Sequence, residues 1–191
     1  MTDDVDVDRW RRELAAKRAE KDDFFADHPQ SPIPPDERDE FDGLAYFEPD
    51  PAYRVTADVT VHDDPDVAYM DTQTGGEMRY LAVATLSTTL PAADPDRDDV
   101  PVEIDSYRQE GANDETLFVP FRDKTTGQQT YDGGRYIELA AERSLETGDE
   151  IVVDFNLAYT PFCAFSEAFE CPKPPETNWL DIAIPAGERT P

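Results

Sequence analysis

Residues 150–180 read EIVVDFNLAYTPFCAFSEAFECPKPPETNWL, a stretch that contains both cysteines and four of the ten phenylalanines. Its first residues are β-branched and follow the turn signal Thr147-Gly148-Asp149, so we predict a strand over 150–159. Alternation gives one face of that strand Val152, Asp154, Asn156 and Ala158. The other face would carry Val153, Phe155, Leu157 and Tyr159. One face therefore packs on a core, while the other presents a carboxylate and a carboxamide.

The segment after this strand, the 161–175 loop, is rich in proline. Each proline removes a backbone donor, so the loop is predicted to be extended and unable to hold itself by a hydrogen-bond ladder. Aromatic side chains are expected to anchor it instead. The candidate anchors are Phe162, Phe165, Phe169 and Trp179.

The rest of the chain indicates a mainly β protein. Residues 3–27 are predicted as one helix that is capped by Asp8 or an earlier aspartate and ends before Pro29. Residues 28–40 form a proline-rich connector. Further strands are expected over 44–48, 53–61, 67–71, 77–88, 101–109, 116–122, 128–131, 134–140 and 179–184, with an acidic loop over 91–99. Residues 1–40 would thus precede a single β domain over 41–191.

Short strands with no helical pattern between them favour an antiparallel β-barrel or a bent β-sandwich. The apolar stripe of the N-terminal helix is thin, with Trp10, Leu14 and the Phe24-Phe25 pair as its main members. A helix of this kind packs on the outside of a domain. The predicted fold is therefore a β-barrel or sandwich with one external helix.

Charge is the strongest compositional signal. The chain has 44 Asp plus Glu against 17 Lys plus Arg, a net charge of −27, and its acids are spread over the whole length. Molar salt screens such self-repulsion, so we interpret the protein as halophilic. The same charge excludes nucleic acid and anionic membranes as expected partners. A homo-oligomer is left open.

The charge also predicts how stability responds to salt. We expect the unfolding midpoint to rise between about 0.1 M and 2 M KCl, because screening relieves repulsion between carboxylates in the folded state. Thermal unfolding followed by circular dichroism measures this shift. A midpoint that stays flat or falls would contradict the halophile interpretation.

The N-terminus is acidic and lacks the apolar region of a secretory signal, and no apolar run approaches the roughly 20 residues of a membrane span. We therefore expect a cytoplasmic protein. Two cysteines in that compartment are usually reduced thiols.

A series of ordered motifs resembles one family. The motifs are Ser31-Pro32-Ile33, Phe41-Asp42-Gly43-Leu44, Tyr46-Phe47, 117–123, Thr126-Gly127, Thr130-Tyr131, Gly134-Arg135-Tyr136, Asp154-Phe155-Asn156, Ala158-Tyr159, Pro161, Cys163-Ala164-Phe165, Cys171-Pro172, Pro174-Pro175, Asn178 and Ala186-Gly187-Glu188. On these residues the chain resembles the uncharacterised proteins grouped as domain of unknown function DUF1684. It departs from their pattern at Asp132, Thr160 and Lys173, and Thr160 leaves no second carboxamide beside Asn156. The resemblance implies no known activity.

The main candidate site surrounds Arg135, Asp154, Asn156 and Tyr159, with Asp123 and Tyr131 nearby. If the strands over 134–140 and 150–159 pair, Arg135 and the polar residues lie at the same end of the sheet. A guanidinium beside a carboxylate and a carboxamide could bind a small anion or position a water. The alternative is a structural ion pair between Arg135 and Asp154.

The second candidate is the cysteine pair Cys163 and Cys171. These two cysteines are too widely spaced for a typical pair of zinc ligands, and His28 and His62 are the only histidines. We therefore predict no metal. The two cysteines could form a local disulfide or remain two buried thiols that act as small apolar groups. A nucleophilic cysteine would need a nearby base, and both histidines are distant in sequence.

Familiar nucleotide and cation motifs are missing. Residues 123–127, DKTTG, lack the glycine run and following helix of a phosphate loop, and we expect a hairpin turn. The acidic runs 63–66 and 96–99 lack the ligand spacing of a calcium loop. We predict no cofactor.

Three functions fit these observations. The favoured one is binding of a small, anionic ligand near Arg135, Asp154 and Asn156, under the 161–175 loop. The second is a hydrolase or lyase in which Asp154 is the general base while Arg135 and Asn156 stabilise an oxyanion. The third is a protein-interaction module, which would expose a large apolar patch.

Overall fold

The computed structural model describes residues 6–92, 96, 98–111, 116–141 and 144–191. Residues 3–5 of the predicted helix, and residues 93–95 and 97 of the predicted acidic loop, lie outside this set. Within it, one helix, α1 (Val7–Asp27), is followed by six strands. The strands are β1 Arg54–Asp71, β2 Glu77–Leu90, β3 Val100–Gln109, β4 Thr116–Phe121, β5 Arg135–Ala140 and β6 Glu150–Asp154.

All six strands belong to one antiparallel sheet with the order β5-β4-β3-β2-β1-β6. The sheet curls until its two outer strands approach each other. Tyr136 of β5 exchanges both backbone hydrogen bonds with Tyr159, just beyond β6, at 3.0 and 2.9 Å. This single bridge nearly closes a barrel, which confirms the predicted mainly β fold with a helix outside it.

The inward-facing residues of β4 and β5 show how the core is built. Their buried side chains alternate with more exposed ones, as expected where one face of a sheet is covered. The members are Leu117, Val119, Phe121, Ile137 and Leu139. Phe121 meets Phe155 edge to face, with ring centroids 5.5 Å apart, so the chain after β6 also fills the barrel.

β1 is longer than predicted. The acidic run 63–66 was expected to separate two strands, but β1 continues through it and its register against β2 shifts between Val61 and Asp66. The run forms a bulge, because its acidic side chains are solvated and Pro65 has no backbone N–H that needs a partner strand. The predicted break is therefore wrong.

Three predicted strands, over 44–48, 128–131 and 179–184, are absent from the described residues as ladders. They form only isolated bridges, Tyr46 to Glu188, Thr126 to Thr130 and Arg122 to Trp179. Ile182 and Ile184 of the last segment are nevertheless buried, because that segment packs into the core without forming a ladder.

Helix α1 lies across the gap between β5 and β6. The Asp6 side chain accepts from the Arg9 backbone at 3.0 Å, so an aspartate caps the helix as predicted. Its buried residues are Trp10, Leu14 and Phe25. In the part of the chain that the structure covers, no helix is long and apolar enough to cross a membrane.

The 161–175 loop is anchored by aromatic contacts to α1. The rings of Phe162 and Phe165 contact the Phe25 ring edge to face, with centroids 5.7 and 5.0 Å from it. Trp179 is 50% exposed and lies over the Arg122 guanidinium at 4.8 Å, but its indole donates to the Pro174 carbonyl at 3.0 Å, so it anchors the loop by a hydrogen bond and not by burial. The loop covers Gly134 and α1, and Asp154 is covered by Trp10 instead.

Candidate functional site

Arg135 is fully buried inside the barrel, where it holds the segment 184–188. Its two terminal nitrogens donate to the carbonyls of Ile184 at 2.9 Å, Glu188 at 3.1 Å and Ala186. Burial lowers the pKa of Arg135, and the neighbouring Asp123 carboxylate opposes that shift. The guanidinium therefore serves as an internal hydrogen-bond hub.

Asp123 is the carboxylate partner of Arg135, with Nη2 and Oδ1 3.5 Å apart. Its oxygens also accept from the Thr125 hydroxyl at 2.8 Å and the Ile184 backbone at 2.7 Å. Residues 123–127 form the predicted turn. The alternative pairing of Arg135 with Asp154 does not occur, because β5 and β6 meet at one bridge only and Arg135 points into the barrel.

Asp154 lies at the end of β6, where it accepts three hydrogen bonds and faces one arginine. Oδ2 accepts from the Trp10 indole at 2.7 Å and lies 3.6 Å from Nε of Arg54. Oδ1 accepts from the backbone and side-chain nitrogens of Asn156 at 3.0 and 2.9 Å. Hydrogen bonds occupy three of the about four lone-pair sites of this carboxylate, and it is also paired with the Arg54 cation, so Asp154 is poorly suited to abstract a proton from a substrate.

Asn156 is buried and ties the segment before β1 to the end of β6. Its carboxamide accepts from the Asp50 backbone N–H at 2.9 Å and donates to the Asp50 carbonyl at 2.8 Å. All its hydrogen-bonding capacity is directed at the protein, which indicates a structural role for this side chain.

The alternation predicted for 150–159 is wrong beyond Asp154. The Asp154 side chain caps a 3-10 turn over Phe155–Leu157, which rotates the chain away from the strand pattern. Leu157 is consequently 37% exposed, whereas Ala158 is buried at 2%. Three consecutive residues, Asp154 to Asn156, are buried together for the same reason.

The two predicted tyrosines lie in different places. The Tyr159 hydroxyl donates to Glu138 at 3.0 Å, and burial with that carboxylate raises the pKa of Tyr159. Tyr131 lies against Cys163, and burial raises the pKa of Tyr131 to about 12. The structure thus separates the candidate residues into Arg135 with Asp123, Asp154 with Asn156 and Tyr159 near the barrel gap, and Tyr131 with the cysteines.

A groove of about 340 Å³ lies where β5 and β6 diverge beneath α1. Its apolar lining comprises Trp10, Leu14, Ile137, Leu139, Ala140, Val152 and Leu157. Its charged lining comprises Glu13, Lys17, Arg54, Glu138 and Asp154. Asp154 is the one predicted site residue that this groove contains.

Comparison with known proteins places the chain in a family. Residues 39–189 match the family model described as protein of unknown function (DUF1684). The chain belongs to this family. The sequence resemblance is thereby confirmed, and it brings no activity with it.

A solved relative supports the same assignment for this DUF1684 protein. The solution NMR structure of an uncharacterised protein from Haloarcula marismortui is 57% identical, covers 98% of this chain and 97% of its own, and superposes with a TM-score of 0.74. A search of the curated proteins found no match.

Two groove residues, Arg54 and Lys17, were not identified from the sequence. Lys17 is one of only four lysines in this DUF1684 protein, and this rarity could have marked it in the sequence as a candidate site residue. Arg54 gave no local signal, because only the pairing of β1 with β6 places it opposite Asp154. Among the described residues, no three His, Cys, Asp or Glu side chains are grouped as metal ligands.

Proposed function

We propose that this domain binds a small anionic ligand with an apolar body in the groove between β5 and β6. The supporting observation is that two cations with available donors, Lys17 and Arg54, border an apolar cleft in a chain of net charge −27. Lys17 has no salt-bridge partner among the described residues, and the terminal nitrogens of Arg54 remain available beside its contact with Asp154, so the donors at this cleft favour an incoming anion.

The size of the groove suits a small molecule. Ligand pockets usually occupy about 300–1,000 Å³ and combine apolar walls with a few polar groups. Ile137 and Leu139 form the apolar base here, and Val152 and Leu157 are exposed apolar residues on its rim. Burying those rim side chains would favour a ligand with a hydrocarbon or aromatic portion.

Arg54 supplies the more specific recognition. Its Nε faces Asp154, while its two terminal nitrogens make no hydrogen bond to the described residues. A planar guanidinium in this state can hold a carboxylate or phosphate through two parallel hydrogen bonds. Asp154 and Trp10 would position Arg54 without contacting the anion.

The acidic residues of the groove have partners of their own. Glu13 accepts from Arg9 at 2.8 Å, and Glu138 accepts from the Tyr159 hydroxyl. Lys17 forms no salt bridge within the described part of the chain, so its ammonium is available to a ligand. Glu13 is thus paired with Arg9 and Asp154 with Arg54, so Lys17 is the groove cation without a carboxylate partner among the described residues.

We expect removal of either cation to weaken binding. Binding is measured from chemical-shift changes when the isotope-labelled protein is titrated with small aryl and alkyl carboxylates and phosphates. In about 1 M KCl the screening length is about 3 Å, so only direct contacts contribute to Kd. Arg54→Ala should raise Kd about 10- to 100-fold, since a hydrogen bond to a charged group contributes about 1.5–3 kcal/mol. Lys17→Ala should raise it about tenfold.

Matched controls remove the same charge elsewhere. Arg79 pairs with Glu110 on the surface, and Lys124 pairs with Asp181, so Arg79→Ala and Lys124→Ala should leave Kd unchanged. A broader depression of about 600 Å³ beside Arg11, Phe47 and Arg189 is the competing location. Chemical-shift changes confined to that depression, or no saturable binding by any compound, would overturn the proposal.

The acidic composition and the relative from a halophile support one further part of this proposal. The domain functions in the salt-rich cytoplasm of a halophile, where screening permits its excess of carboxylates. The salt titration of the unfolding midpoint tests this part independently of ligand binding.

A further inference from the structure

Cys163 and Cys171 lie together in the 161–175 loop. Both are free thiols, both are partly buried, and their sulfurs are hydrogen-bonded to each other. They are eight positions apart in sequence, so the loop must fold back on itself to bring them together. Neither cysteine lines the groove, and the pair takes no part in the proposed ligand binding.

The loop holds this folded-back shape through contacts on both sides of the pair. Phe162 and Phe169 meet edge to face with centroids 5.3 Å apart. Pro172 bridges to Thr72, and the Lys173 backbone donates to the Asp71 carbonyl at 2.7 Å. The two thiols are therefore positioned by packing that does not depend on a bond between them.

The two sulfurs differ in their surroundings. The Cys171 sulfur accepts from the Cys163 thiol and from the backbone N–H groups of Phe162 and Cys163, which lowers the pKa of Cys171 to about 7. The pKa of Cys163 is raised, chiefly by donating to Cys171. The neighbouring hydroxyls of Tyr131 and Tyr136 have raised pKa values and remain neutral near pH 7. Cys171 thus has the greater thiolate character.

We propose that Cys171 and Cys163 form a reversible oxidation site in which Cys171 reacts first with hydrogen peroxide and Cys163 then closes a disulfide. The Cys171 thiolate attacks one peroxide oxygen and the O–O bond breaks. The departing hydroxide takes a proton, which gives water and Cys171 sulfenic acid. Cys163 sulfur then attacks the Cys171 sulfur, the S–O bond breaks, and the thiol proton leaves with the hydroxyl as a second water. Two thiols lose two electrons, and the peroxide gains two.

The first test uses hydrogen peroxide on the full chain, followed by alkylation and intact-mass measurement. The wild type should lose two hydrogens and both alkylatable thiols, and dithiothreitol should restore both. Cys163→Ser should stop at the sulfenic acid and yield a dimedone adduct on Cys171. Cys171→Ser should react more slowly, because the serine hydroxyl can still accept from the Cys163 thiol and burial still disfavours the Cys163 thiolate.

A second test measures proximity in the reduced protein. Phenylarsine oxide bridges two adjacent thiols, so the folded wild type should bind one equivalent, and each single serine variant should lose that tight binding. Circular dichroism of the variants shows whether the fold is kept. Three results would each overturn the proposal. The first is a wild-type protein whose main products are sulfinic acid or disulfide-linked dimers. The others are equal peroxide reactivity of the two serine variants and failure of the wild type to bind the arsenical.

Discussion

Replacement of Arg135 by methionine is expected to lower the free energy of unfolding by about 3–5 kcal/mol, because removal of one partner strands a buried charge. Methionine occupies a similar volume but donates no hydrogen bond. The Asp123 carboxylate and the carbonyls of Ile184, Ala186 and Glu188 would lose donors in a region where water does not reach. Urea unfolding in about 2 M KCl, followed by circular dichroism, measures the loss.

Two further variants separate this explanation from a general effect of lost charge. Arg79→Met removes a surface arginine whose pair with Glu110 is about half exposed, and should change stability by no more than about 0.5 kcal/mol. The double variant Arg135→Met with Asp123→Asn should recover part of the loss, because no buried charge is left unpaired. If Arg135→Met costs no more than Arg79→Met, the proposed hub is wrong.

Phe25→Ala is expected to be equally severe, with a loss of about 3–5 kcal/mol. This side chain is fully buried where α1 meets the 161–175 loop, and it also stacks on Phe41 with centroids 6.0 Å apart. The substitution would leave a cavity lined by several aromatic rings. Chemical unfolding measures the total loss, and limited proteolysis should show faster cleavage within the loop.

Phe24 provides a matched control for Phe25. It is the preceding residue of the same helix, it is only partly buried, and it stacks on His28 at 4.4 Å. Phe24→Ala should therefore cost about half as much as Phe25→Ala, because less apolar surface is lost from the core. An equal or larger loss at Phe24 would contradict the assigned core position of Phe25.

Local patterns predicted the β-barrel because strand signals depend on short-range chemistry. The alternation in 116–121 and 135–140, and the aspartate cap with Pro29 beyond the helix end, gave elements that the structure contains. The same reasoning wrongly predicted that β1 would be interrupted at its acidic run. A bulge satisfies those residues without ending the strand, and this choice depends on the partner strand and not on the run itself.

The site was harder to predict because its geometry depends on a turn and on distant pairing. Asp154 was selected correctly as an unusual polar residue, but its partners Trp10 and Arg54 are about 100 or more positions away in sequence. Arg135 was expected near Asp154 on the assumption that β5 and β6 pair along their length. β6 pairs with β1 instead, and the single bridge to β5 forms at Tyr159, beyond the 3-10 turn that follows Asp154. No local signal distinguishes such a turn from further strand residues.

The attachment of Arg135 to 184–188 also determines when the barrel can be completed during synthesis. Its carbonyl partners lie 49, 51 and 53 residues downstream. At about 5–20 residues per second, β5 leaves the ribosome roughly 3–10 s before those partners do. During that interval the newly made sheet holds Arg135 with Asp123 as its ion-pair partner but without its three carbonyl acceptors. Emergence of residues 184–188, and not pairing of the strands, therefore sets the moment at which Arg135 gains its full set of acceptors.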